Sequence, residues 1–372
     1  MMNMIWQLAG ELANEDVRKC KEEGRPVLGY TCVFMPVEIM EAAGIMPYRL
    51  RALGQAQTEI ADAHLSRFNC SFCRSCLQLG LDGGFDFLDG VIETNGCDHL
   101  RGMFENWFYV KPPAFTHYLK VPHLADEESV AYFAGELRKF AEAIQQHFDV
   151  DVTDDGLCKA MTRQKQIREK LHRLYQLRAK DKPALTGAEA LAVVLAGSAI
   201  AAERFETMLD GVLEERENHE IDCRVRLLLG GSATDELEFI QQLESDGAVV
   251  VADALCYGAR AFMPLEIDET LPPYQALAKM IMGNVLCPRM FADYPARLDF
   301  MLETIEEAKV DGAVLVHNKF CDVHGIENVL LRHHIEEKKI PVLTLEKEYG
   351  AKADLGRMKT RVQAFLERIG KR

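Results

Sequence analysis

The stretch GAVLVHNKFCD, residues 312–322, sets an unbroken apolar run directly before a loop that carries a cysteine. Short apolar runs closed by turn-forming residues mark strands buried on both faces, as in parallel sheets. Three more stretches read the same way: CRVRLLLGG at 223–231, GAVVVADALC at 247–256 and IPVLTLEKEY at 340–349. Helical patterns lie between them, notably DELEFIQQLESDG at 235–247 and ADYPARLDFMLETIEEAKVDG at 292–312. Strands alternating with helices predict a doubly wound sheet, whose ligands bind beyond the carboxyl ends of the strands.

Working outward, the first third shows the same rhythm. A polar helix is expected over 6–23, ended by Gly24 and Pro26. RPVLGYTC predicts a buried strand at 26–32, and VEIMEAAG a short helix stopped at Gly44. FDFLDGVIETNGC predicts a strand over 85–92 that delivers Thr94 to Cys97, and FTHYLKVP another at 115–122. The middle is helical: DEESVAYFAGELRKFAEAIQQHF from 126, the densely charged TRQKQIREKLHRLYQLRAK as a solvated face, and AEALAVVLAGSAIAAERF as one apolar helix. The expected fold class is α/β, with two doubly wound (Rossmann/flavodoxin-like) domains at 1–126 and 221–372 joined by a helical connector at 127–220.

At 372 residues, the chain is too long for a single ordinary core. Its 48% hydrophobic and 27% charged residues suit a folded globular protein. A net charge of −15 disfavours a broad nucleic-acid surface. The most apolar run, 191–202, falls short of the roughly 20 residues that span a bilayer. MMNMIWQLAGELANED carries Glu11, Glu15 and Asp16 where a signal peptide would be basic, so a cytoplasmic location is expected.

Eleven cysteines are too few for a disulfide scaffold, and in a reducing compartment such thiols serve as metal ligands, catalysts or packing residues. Cys70, Cys73 and Cys76 have C-x2-C-x2-C spacing. The bacterial ferredoxin run continues x3-C-P, whereas residue 80 is Gly, so this motif alone cannot hold a cubane. Structural zinc needs four Cys/His ligands, commonly in close pairs, and no second close pair follows. Cys32, Cys97, Cys256, Cys287 and Cys321 sit in loop-like surroundings, mostly at strand ends, where thiolates distant in sequence can converge. Cys20, Cys158 and Cys223 read as packing residues. His317 and His324 flank Cys321 and leave a Cys–His nucleophile open as a reading. Neither a Walker phosphate loop nor a G-x-S-x-G elbow is present.

The segments GYTCVFMPVEIMEAAGIMPYRL, NCSFCRSCLQLGLDGGFDFLDGVIETNGCDHLRGM and VDGAVLVHNKFCD together resemble the 2-hydroxyacyl-CoA dehydratase and benzoyl-CoA reductase superfamily, over nearly the whole chain. The resemblance implies two α/β domains holding an iron–sulfur cluster through Cys70, Cys97 and Cys321. It also implies a separate ATP-hydrolysing iron–sulfur activator protein as electron donor. Three additional thiols, Cys32, Cys256 and Cys287, resemble the branch that binds an [8Fe-9S] double-cubane cluster in a homodimer and reduces small molecules. A [4Fe-4S] (R)-2-hydroxyacyl-CoA dehydratase subunit, acting through a ketyl radical on an acyl-CoA within a heterodimer, is the alternative; a non-catalytic electron carrier is a further one. Glu38, beside Cys32 in sequence, is the candidate acid–base residue.

Overall fold

Apolar segments near both ends of the chain extend into strands, and the helices between them cover the faces of two sheets. A computed structural model describes residues 1–263, 266–350 and 352–370; the end of the expected C-terminal unit, 371–372, lies outside them. In the first sheet, β1 (Val27–Tyr30), β2 (Met46–Arg49), β3 (Gly90–Thr94) and β4 (Phe115–Leu119) run in the order β2-β1-β3-β4. In the second, β5 (Val225–Gly231), β6 (Ala248–Ala254), β7 (Gly312–Asn318) and β8 (Val342–Lys347) run in the order β6-β5-β7-β8. All neighbouring strands are parallel. The two sheets therefore share one flavodoxin-like topology, as the alternating pattern predicts.

That order places a topological switch point between β1 and β3 in one sheet and between β5 and β7 in the other. The second is drawn tight by Gly231, at φ 118°. A Cβ there would lie 1.9 Å from the Val316 carbonyl oxygen, so no other residue fits.

One hydrophobic core links the sheets. Val27, Met46 and Tyr48 of the first belong to the same buried cluster as Leu227, Val250 and Val314 of the second, through the helix Gly187–Gly197, apolar but for Glu189 in its first turn. The charged helix Asp154–Ala179 is not only a solvated face. It buries Leu157, Ile167, Leu171 and Leu174, and its Arg178 pairs with Asp253 at 2.8 Å with both side chains buried. Removing either partner from such a pair costs about 3–5 kcal/mol. Further along, the helix Pro273–Met282 packs with residues of β1, β3 and the helix Glu127–Phe148, which returns the chain to the first sheet and brings Cys287 with it.

Several elements differ from expectation for local reasons. The helix expected over 6–23 is two helices, Met2–Gly10 and Glu15–Glu22. Arg51 takes the carbonyls of Ala9 at 2.9 Å and Glu11 at 2.6 Å, which ends the first, and Asn14 Oδ1 caps the second by accepting from the Val17 N–H. The apolar helix expected from 188 to 205 breaks after Gly197, where a Cβ would meet the Phe205 ring at 2.2 Å. The strand expected over 85–92 starts only at Gly90. Phe85 instead stacks on Trp107, and Phe87 meets Tyr48 edge-on. The strand β2 went unrecognised because Pro47 and Arg49 disguise a four-residue segment that is buried throughout.

Candidate functional site

Strand ends at both switch points feed a single cavity of about 120 Å³. After β1 come Thr31 and Cys32, after β3 Cys97, after β6 Cys256 and after β7 Cys321. Cys70 and Cys287 enter from loops. All six cysteines singled out from the sequence line this cavity, and Cys73 joins them. Cys76 is buried in the same helix as Cys73 but does not line the cavity. Cys20 is buried elsewhere, Cys223 is half-buried and Cys158 is exposed; every cysteine is a free thiol.

Cys70, Cys97 and Cys321 occupy one kind of position. Each is the N-cap residue of a helix: Ser71–Asp82, Asp98–Val110 and Asp322–Glu337 respectively. None of the three uses its side chain as a cap. Their sulfurs are thus free to face a ligand, while three helix N-termini turn their positive ends toward it. Phe320, at φ 65°, makes the left-handed turn that takes the chain from β7 into the last of these helices.

The thiols fall into two interacting sets. Cys70 is hydrogen-bonded to Cys321, which lowers its pKa, but contact with Cys73 and burial together raise it. Burial raises the Cys97 thiol, and Cys70 and Cys321 push in the same direction. The Cys287 thiol is pushed up to about 11 by burial, against Arg260, with Cys32 and Cys256 adding to the rise. Cys32 itself packs beside Gly96, whose Cβ position lies 3.5 Å from its sulfur. Protonated, these thiols are neutral; ionised, they need cations nearby.

Three arginines supply positive charge without carboxylate partners. Arg49 donates to the Thr31 carbonyl at 2.8 Å and the Cys256 carbonyl at 2.6 Å, and lies over the Tyr257 ring. Arg260 donates to the Leu286 carbonyl at 3.1 Å, and Arg289 to those of Pro122 and Val121, each at 2.9 Å. All three line the cavity and are buried. Among the described residues their acceptors are carbonyls, histidine nitrogens and a thioether. Arg260 Nε, Arg289 Nε and Thr31 Oγ1 are buried without any partner. Buried cations left uncompensated are costly, so this shell suits an anionic occupant. His324, on the same wall, is held neutral by burial and by Arg260.

His99 ties the helix starts together. Its Nδ1 accepts the Cys70 backbone N–H at 2.9 Å, so Nε2 carries the proton toward Asp322. Glu38 is fully buried on the helix Val37–Ala42, pairs with Arg168, and leaves Oε2 without a partner. It is not among the residues lining the cysteine cavity. Among the described residues no three or more His, Cys, Asp or Glu groups converge to hold a single metal ion. Thiolates that each bind a different iron of a cluster need no such convergence. Sequence reasoning passed over the three arginines and His99. The GCDH tetrapeptide held a signal for His99, whereas nothing local distinguishes the arginines from surface cations.

This arrangement is an α/β scaffold of paired parallel sheets whose switch points share a thiol-lined cleft. The model of the family described as 2-hydroxyglutaryl-CoA dehydratase, D-component, matches residues 32–369, and the chain belongs to that family. The chain is 28% identical over 370 residues, covering 95% of it and 94% of the relative, to YjiM of Escherichia coli K12, whose name assigns it provisionally as a dehydratase subunit. It is 25% identical to a subunit of benzoyl-CoA reductase from Thauera aromatica, covering 87% and 86% of the two chains. It is 24% identical to the beta subunit of (R)-2-hydroxyglutaryl-CoA dehydratase of Acidaminococcus fermentans, covering 94% of each. These relatives are components of dehydratase or reductase enzymes. Among the described residues, no helix is long and apolar enough to cross a membrane.

Proposed function

We propose that this chain is an iron–sulfur reductase component that holds a double-cubane cluster and reduces a small substrate with low-potential electrons. The observation that supports the reading is that all six of the sequence-predicted thiols, together with Cys73, line one cavity fed by the strand ends of both sheets. Cys70, Cys97 and Cys321 hold one cubane, and Cys32, Cys256 and Cys287 the other. A cluster bound there supplies electrons singly at low potential.

The protein's own residues supply the rest. Arg49, Arg260 and Arg289 and the three helix N-termini balance the negative charge of thiolates and sulfides. Phe72, Leu100 and Tyr257 wall the cavity with apolar surface, which keeps water from the reacting centre. Glu38, fixed by Arg168, is the acid–base carboxylate of the neighbouring helix. A separate ATP-hydrolysing iron–sulfur activator delivers the electrons, and a cytoplasmic setting keeps the thiols reduced. The chain works as a dimer, either with a second copy or with a related subunit.

The names of the relatives favour one second reading, a subunit of a 2-hydroxyacyl-CoA dehydratase with a single [4Fe-4S] cluster on Cys70, Cys97 and Cys321. Iron and sulfide analysis of anaerobically purified protein separates the two. About eight irons per chain supports the first and about four the second; stoichiometric zinc without iron overturns both.

A further inference from the structure

A second cavity of about 120 Å³ lies beside the cysteine cavity, shares Cys32, Val33 and Arg49 with it as lining, and reaches Glu41 at the end of the helix Val37–Ala42. Glu41 Oε1 accepts a hydrogen bond from Gln164 Nε2, and Oε2 is buried with no hydrogen-bond partner among the described residues. One turn earlier, Glu38 is ion-paired with Arg168. Two buried carboxylates a turn apart do not both ionise without strong repulsion. The unpartnered oxygen of Glu41 is a site for a proton.

Resting on the reductase reading, we propose that Glu41 is the proton store for reduction in the cysteine cavity. Its O–H bond breaks, and the proton passes to water in the second cavity and from there past Cys32 to the substrate. A proton from bulk solvent then restores the acid. No electron moves in that step; the electrons arrive separately through the cluster. The second cavity is roomy enough for bridging water, and its polar lining supplies the partners that water needs.

The surroundings favour the protonated form. Burial first, and the charge of Glu38 second, lift the Glu41 carboxyl to about 8, against the Gln164 hydrogen bond. Glu203, from the helix Ala202–Arg216, adds to the rise, and Arg163, from the helix Asp154–Ala179, opposes it. Tyr30 at the end of β1 and Arg49 of β2 complete the charged and titratable lining.

Infrared difference spectroscopy on the full chain, reconstituted anaerobically with iron and sulfide, tests the proposal. A carboxylic-acid carbonyl band is expected at neutral pH, disappearing as pH rises through about 8. Reduction by dithionite should shift that band, because the store adjoins the cavity that gains charge. Glu41→Gln should remove the band and its redox response while retaining the iron of the unaltered chain, and Glu41→Asp should restore a displaced band. A band that survives Glu41→Gln, that is absent from the unaltered chain, or that ignores reduction overturns the proposal. Failure of the parent reading shows separately, as missing iron and sulfide, and the pH titration of the metal-free chain still decides where the proton resides.

Discussion

His99 Nε2 lies 2.8 Å from Asp322 Oδ2. With the Cys70 N–H held at 2.9 Å on Nδ1, one imidazole joins the starts of the three helices capped by Cys70, Cys97 and Cys321. The Asp322 side chain is largely exposed, so its hydrogen bond contributes little, and the grip on the Cys70 amide matters more. His99→Ala is expected to cost about 1–3 kcal/mol in urea unfolding, because that amide loses its acceptor. It should also speed iron loss to a chelator. Unchanged iron retention would show that the helix starts hold their places unaided.

Cysteine substitutions should sort by set. Cys97→Ser or Cys321→Ser should abolish cluster binding, whereas Cys256→Ser or Cys287→Ser should lower iron content without emptying the site. Cys158→Ser, at an exposed position, should change nothing. Anaerobic iron and sulfide analysis reads all five, and iron loss in Cys158→Ser would mean that the wrong thiols have been assigned.

Arg260 bears on redox poise. Reduction adds negative charge, which a buried guanidinium stabilises, so Arg260→Met should make the cluster harder to reduce. Each 1.4 kcal/mol of lost stabilisation corresponds to about 60 mV for one electron. EPR-monitored redox titration measures the shift, and a potential that stays put or rises would remove the arginines from the electrostatic account.

Buried carboxylates make stability fall with rising pH. Burial, then Glu105, pushes Glu93 of β3 up from 4.5 to about 7, and Glu41 rises to about 8. For a group raised on folding, the contribution is complete below its ordinary value and is lost as pH climbs through the folded value. Buried His324 and His117, lowered from 6.5, slope the other way below that value, so the urea midpoint of the unaltered protein should decline between about 6.5 and 8. Glu93→Gln should lessen that decline over its lower part. A midpoint that rises across this window would contradict the burial of both groups.

Gly231→Ala should destabilise the second sheet by more than about 1 kcal/mol, since the φ of 118° and the Val316 carbonyl both exclude a Cβ. Circular dichroism melting reads the loss; an unaltered melt would mean that the turn after β5 yields easily.

The sequence made the strands legible where apolar runs met a turn, and hence the strand-end cysteines that follow β1, β3, β6 and β7. It hid what depends on distant partners. The split of the first helix needs Arg51, which is 40 residues from the Glu11 carbonyl it takes. The cationic shell is equally silent, because the carbonyls that hold Arg49 and Arg289 lie up to 207 positions away. The second acid beside Glu38 was in view in EIMEAAG, but nothing local separates a sealed carboxylate from a solvated one.

Two sheets of identical strand order, facing one cleft, also dictate when the site can first exist during biosynthesis. Neither half encloses the cleft alone, and Cys321, its last thiol in the sequence, follows β7, which pairs with β5. The cleft is accordingly complete only once both sheets have formed, and a truncated chain presents only scattered thiols.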